Sequence, residues 1–198
     1  MTTVINYNGT FSSIKESPKT NYSRTVLFKR GETIPQTSNS IWLLKKGLVK
    51  TLTWSEAGNT IILGYWGEGD VIGSSLSTVN PYEARCLNPV EATIIPLQYS
   101  SYLFKEIITC VQHTDELLRI IRIEKMYDRL SQLLNWLASR FGSQVLEGVL
   151  INLRLTHQEL ADLIGSTRVT VTRLLNQLEK ENAIARPRRF AIIMKDFE

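Results

Sequence analysis

The chain has 198 residues, 43% hydrophobic and 21% charged, with a formal net charge of +4. This is the composition of a soluble globular protein with room for one large or two small cores, and it permits a nucleic-acid partner without demanding one. Two cysteines, Cys86 and Cys110, with no CxxC pair, argue against a disulfide framework, a zinc finger or an iron–sulfur cluster, and no metal site is expected.

Residues 1–22 are rich in Ser, Thr and Asn, carry no signal-peptide core and read as a flexible tail. No stretch is apolar enough to cross a bilayer, so a cytoplasmic protein with no membrane partner is expected. From Arg24 to about Tyr99, short strands alternate with turn residues. Val26–Phe28 leads to Arg30-Gly31, and Ile41–Leu44 leads to Lys46-Gly47. Leu48–Trp54 alternates cleanly and returns through Glu56-Ala57-Gly58-Asn59 into Thr60–Tyr65. Val71-Ile72, Ala84–Leu87 and Ala92–Pro96 complete a set spaced by roughly ten residues, which suggests a sandwich or barrel. Trp42, Trp54 and Trp66 are expected as core or rim packing of this unit.

From Ser101 the apolar spacing changes to three and four. The pattern predicts a short helix and then a long one from about Gln112, with a break near Tyr127-Asp128. Thirty helical residues would measure about 45 Å, more than a small domain needs. Leu117, Leu118, Ile120 and Ile121 on that rod are expected to meet a second copy in a two-fold, coiled-coil-like homodimer.

The most informative segment is Leu155 to Leu178. Thr156 with Glu159 fits a capping box, Leu160, Ala161 and Ile164 share one face, and Gly165 suits the positive φ of a turn. Ser166 or Thr167 can cap a second helix whose buried stripe is Val171, Leu174, Leu175 and Leu178. Arg168, Val169, Thr172 and Arg173 fall together on its other face. This is the pattern of a helix-turn-helix whose second helix enters the DNA major groove. A strand at Ala183–Ala185, a basic turn at Arg186–Arg189 and a strand at Phe190–Met194 read as a wing. Base contacts are expected from Arg168, Val169, Thr172 and Arg173. Phosphate contacts are expected from Thr156, Gln158, Thr167, Thr170, Arg188 and Arg189, with capping an equal explanation for Thr156 and Thr167.

The order of parts resembles the cyclic-AMP receptor/fumarate-nitrate regulator (Crp/Fnr) family. The resemblance rests on Phe28–Glu32, Lys46–Lys50, Gly69–Gly73 and Leu155–Leu178. Gly165–Leu175, Met126–Leu130 and Asn88–Glu91 look especially like the cyanobacterial nitrogen-control branch. It implies an α+β fold: an N-terminal β-roll (a cupin-like double-stranded β-helix) at 23–99, a dimerisation helix and hinge at 100–140, and a C-terminal winged helix-turn-helix at 141–198. The implied function is a homodimeric, sequence-specific transcription regulator, not an enzyme, with double-stranded DNA and RNA polymerase as partners.

Cyclic-nucleotide binders of this family follow the glycine corner with a glutamate and later present an Arg-Ser or Arg-Thr pair. Here Gly73 precedes Ser74-Ser75, and the phosphate position reads Tyr82-Glu83-Ala84, where a carboxylate would repel the ligand. Cyclic AMP is therefore not the expected effector. The nitrogen-control relatives bind 2-oxoglutarate. Gly73, Ser74, Ser75 and Leu76 could supply its amides and Arg119 or Arg122 a cation, but the strand arginine expected between Ser77 and Ala84 is missing, and alternation turns the nearby Arg85 outward. An unidentified small effector, or none, is expected, with no cofactor. His113 reads as a packed or solvated histidine rather than a haem ligand. Arg168 and Arg173 correspond to the family's base-reading arginines, while Val169 replaces the glutamate of the cyclic-AMP receptors. A GTA-type palindrome is implied rather than TGTGA. Two alternatives stay open: an effector-independent DNA binder, and a cyclic-nucleotide-type module that acts only through protein partners.

Overall fold

The computed structural model describes residues 24–188 and 190–195. Seven strands build the N-terminal unit: β1 (Arg24–Phe28), β2 (Ser40–Lys46), β3 (Val49–Trp54), β4 (Thr60–Trp66), β5 (Val71–Ile72), β6 (Glu83–Cys86) and β7 (Val90–Pro96). They form two antiparallel sheets, in the orders β1-β7-β2-β5 and β4-β3-β6. Phe28, Ile34, Trp42, Leu44, Val49, Ile72, Ala84 and Val90 fill the interior between them. The continuous apolar run of β2 has a physical reason. Trp42 and Leu44 point into the roll, while Ile41 and Leu43 point outward into a second core with Val71, Leu103 and Cys110. Trp42 is buried, Trp66 half-buried and Trp54 exposed, a core-to-rim gradient.

Helix α1 (Phe104–Ile121) packs on that outer face, and α2 (Met126–Phe141) follows after a four-residue break. The helices therefore divide at Arg122–Lys125 rather than near Tyr127, and α1 begins well before Gln112. Neither Gly nor Pro marks the break. Arg129 holds it open: its Nε and Nη2 donate to the Ile123 carbonyl at 2.8 and 2.5 Å, while Nη1 donates to the Ile164 carbonyl at 2.7 Å. Ile120 is 1% exposed and lies in the chain's own core, so it is not available to a second copy, and Leu117 leans on the same core. Leu118 is exposed and Ile121 half-buried.

The largest core joins α2 to β8 (Gly142–Val145), β9 (Gly148–Ile151), α3 (His157–Ile164), α4 (Arg168–Lys180), β10 (Ile184–Ala185) and β11 (Ile193–Met194). These strands form one sheet in the order β10-β11-β9-β8. The second wing strand is shorter than its sequence suggests, because Phe190 takes φ 65° in the turn and pairing begins at Ile193. No helix among the described residues is long and apolar enough to cross a membrane.

Candidate DNA-binding surface

Local chemistry sets both helices of the reader. Thr156 Oγ1 accepts from Glu159 N at 3.1 Å, and the Glu159 carboxylate accepts from Thr156 N at 3.0 Å, a complete capping box. Gly165 leaves α3 in the left-handed region at φ 65°, a conformation that would strain most other residues. Thr167 caps α4 by accepting from Thr170 N at 3.2 Å. Val171, Leu174, Leu175 and Leu178 are all buried, which turns the opposite side of α4 outward.

On that side Arg168, Val169, Thr172, Arg173, Asn176, Gln177 and Lys180 line one open groove. Val169 is 79% exposed on this groove. Arg168 and Arg173 are exposed, and neither makes an ion pair among the described residues. A second groove, between the wing and the helix N-termini, gathers Thr156, Gln158, Arg168 and Arg188. Arg189 lies outside the described residues.

Several expected contacts are already committed within the chain. Thr172 Oγ1 donates to the Arg168 carbonyl at 2.8 Å and stands 2.7 Å from His157 Nδ1. With the hydroxyl proton spent on the carbonyl, Nδ1–H is the donor of the second bond. Thr172 therefore braces α4 against α3 rather than reaching freely outward. Gln158 Nε2 donates to Asp162 at 2.7 Å, and Thr170 is bonded to Thr167. Burial lowers the His157 pKa, helped by the Arg186 and Arg168 charges, so the neutral ring is favoured.

Two anchors carry no simple signal in the sequence. Arg186 bonds Glu179 at 2.5 Å and Asn176 at 2.7 Å, pinning the wing to α4. The Tyr127 hydroxyl donates to Glu181, tying the start of α2 to the end of α4; that bond, with burial second, pushes the Tyr127 pKa to about 12.

The reader also grips the roll. Lys50 Nζ meets Glu159 at 2.7 Å with both side chains largely covered. Burial raises the Glu159 pKa, but Lys50 and Thr156 outweigh it and the net shift is downward. Tyr65 of β4 lies in the reader's core. Near the hinge, buried Asp70 accepts from Gly67 N at 2.7 Å and pairs with Arg140 at 2.6 Å. His113 Nδ1 stands 3.5 Å from Asp70 without a hydrogen bond to it. Burial, then Arg140, lower the His113 pKa against the pull of Asp70.

Of the residues expected to meet an effector, those around Gly73 bond within the roll. Ser74–Leu76 is a short 3-10 turn in which Ser74 N donates to Gln36 at 2.9 Å and Leu76 N to the Gly73 carbonyl at 3.0 Å. The Ser75 hydroxyl is engaged by the Thr37 and Ser40 carbonyls. Arg85 points out of the roll to Glu83 at 2.6 Å, as strand alternation requires, and Arg119 and Arg122 stand exposed at the end of α1. Inside, Tyr82 packs on the roll core beside Trp66, and its hydroxyl meets the Gly73 backbone and the Thr51 side chain. Burial outweighs those bonds and lifts its pKa to about 12.

Residues 128–198 match the Crp-like helix-turn-helix domain family. Over 182 residues the chain is 40% identical to the regulatory protein CysR of Synechococcus elongatus, covering 89% of this chain and 87% of that protein. The chain belongs to the Crp/Fnr family. It is 32% identical over 177 residues to the global nitrogen regulator of Nostoc sp., covering 80% and 79% of the two chains, and so falls in the branch of these cyanobacterial regulators. The fold matches a CRP-family transcriptional regulator of Thermus thermophilus at TM-score 0.72 and 20% identity, over 86% of this chain and 92% of that one. It also matches a cyclic nucleotide-binding domain containing protein of Listeria monocytogenes at TM-score 0.76 and 16% identity, over 88% and 90%. This Crp/Fnr chain is a DNA-binding transcription regulator and not an enzyme.

Proposed function

We propose that this Crp/Fnr regulator works as a cytoplasmic homodimer. It reads a palindromic GTA-type site, and its sensor has altered or lost ligand specificity. The observation that carries the reading is the bare outward side of α4, where two unpaired guanidinium groups flank an exposed Val169. Arginine's planar fork suits guanine O6 and N7, and valine suits a thymine methyl rather than cytosine N4. Thr172 contributes by holding α4 at its angle to α3, and Arg188 with the helix N-termini supplies phosphate contacts.

Dimerisation is supported by α1 itself. Phe104, Ile108, Val111 and Leu118 are all exposed and follow one another at intervals of four, three and seven residues. That is a heptad seam left uncovered among the described residues. It replaces Ile120 as the centre of the expected interface, while Leu118 stays within it. Two copies related by this seam would present two recognition helices to successive major grooves about 34 Å apart. RNA polymerase is the partner expected of a regulator bound at a promoter.

Selection from a random DNA library tests the reading. A GTA-flanked palindrome is expected, and Val169→Glu should move preference toward G·C at the central position. A TGTGA-like consensus for the unaltered protein would overturn the role given to Val169. Sedimentation of Val111→Asp should show loss of the dimer. One observation favours an effector-independent variant of this reading: the half-buried Tyr82 packs on the roll core and engages its hydroxyl with the Gly73 backbone and Thr51.

A further inference from the structure

We propose that the cleft between the roll and the reader binds a small multivalent oxyanion that adjusts the position of the recognition helix. The regulatory half of this inference rests on the DNA-binding function proposed above. The cleft has a volume of about 550 Å³, within the range of small-molecule sites. Its roll wall carries Arg30, Lys50 and Arg85, and its reader wall carries Arg154 and Phe190. Lys50 is answered by Glu159 and Arg85 by Glu83, but Arg30 and Arg154 have no acidic partner among the described residues. These two exposed guanidinium groups line one recess from opposite domains, where an anion could pair with both.

The chemistry of the walls fits that class of ligand. The Arg154 guanidinium stacks 5.5 Å from the Phe190 ring centre, which orients the group while leaving its N–H edge able to fork onto a carboxylate or phosphate. Lys50 and Arg85 are each held from one side by their carboxylates. The cleft also borders Thr156 and Glu159, the capping box of α3. An anion held there bridges the roll to the helix on which α4 is braced.

The test is calorimetric titration of the full chain with pyrophosphate and, separately, citrate, each at constant ionic strength with chloride as control. One saturable site per chain is expected for at least one of them; pyrophosphate alone assigns a phosphate-type ligand and citrate alone a polycarboxylate. An Arg30→Gln/Arg154→Gln double variant should weaken binding by roughly tenfold or more, Arg154→Lys should weaken it less, and Arg168→Ala should leave it unchanged. The bound anion should shift affinity for the selected DNA site several-fold in the unaltered protein and not in the double variant. Failure of both anions to bind beyond chloride, or equal binding by the double variant, overturns the site. Saturable binding that leaves DNA affinity unmoved overturns its regulatory role. Loss of DNA affinity by the double variant with no anion binding would instead make the cleft a seat for flanking DNA. Failure of the unaltered protein to bind any DNA would overturn the proposed function and leave the anion measurement standing.

Discussion

In the reader, α4 buries Val171, Leu174, Leu175 and Leu178 and leaves Arg168, Val169 and Arg173 bare. In the roll, the turn at Ser74–Leu76 spends its polar groups on Gln36, Thr37 and Ser40, and the half-buried Tyr82 packs against the core. One region keeps its recognition groups free and the other consumes them internally. The difference separates residues held for a partner from residues that complete a fold. Unpaired exposed charge costs little in water, whereas a buried polar group must find its partner within the chain.

The comparison can be broken first at the core that supports the bare face. Leu175 is fully buried, and Leu175→Ala should cost about 2–5 kcal/mol in chemical denaturation. A change below 1 kcal/mol would mean that the face is not fixed by the packing described. Arg129→Ala comes next. It strips the Ile123 and Ile164 carbonyls of their shared donor, at a cost of about 1–3 kcal/mol. DNA affinity should fall with it, because the hinge and the helix-turn-helix corner are tied through this one side chain. Full stability in that variant would show that the break between α1 and α2 has another cause.

Smaller effects sharpen the boundary between the two regions. Lys50→Met removes the partly covered pair with Glu159 and should cost about 1 kcal/mol. The folded Glu159 pKa is lowered, so its contribution is present above its ordinary value near 4.5 and is lost as pH falls through the folded value. Lys50→Met should shrink that acid-limb loss, and an unchanged acid limb would remove the pair from the account. The smallest effect concerns the histidines. His113 and His157 both have lowered pKa values, so the unfolded chain binds more protons just below pH 6.5. Denaturation midpoints should fall as pH drops through that window, and His157→Gln should flatten the fall; a rise on acidification would contradict the assigned direction.

The reader was legible because its signals are local. A cap three residues from its partner, a glycine at the turn and a stripe at three and four can all be found along the chain. The Arg129 clamp and the His157–Thr172 brace are not of that kind, since they join residues brought together only by packing. Good helix formers at Glu124 and Lys125 concealed the break at 122–125. The β8–β9 hairpin carries no such local signal, because Gly142–Val145 and Gly148–Ile151 are short and Gly148–Ile151 shows no clean alternation. In the roll, the succession of strands and the β3–β4 hairpin followed from spacing and turns, and alternation turned Arg85 outward, but the order of strands in the two sheets did not. That the half-buried Tyr82 packs on the roll core depends on how the two sheets close, which no local pattern specifies.

On the proposed function, the free guanidinium groups of α4 read bases. Fluorescence anisotropy of Arg173→Ala on the selected palindrome, beside an unrelated duplex at the same salt, tests it most directly. A loss of about 1–3 kcal/mol per half-site is expected on the palindrome, with little change on the unrelated duplex and an unaltered melting temperature. Equal losses on both duplexes would reduce Arg173 to a phosphate contact, and no loss on either would contradict the claim.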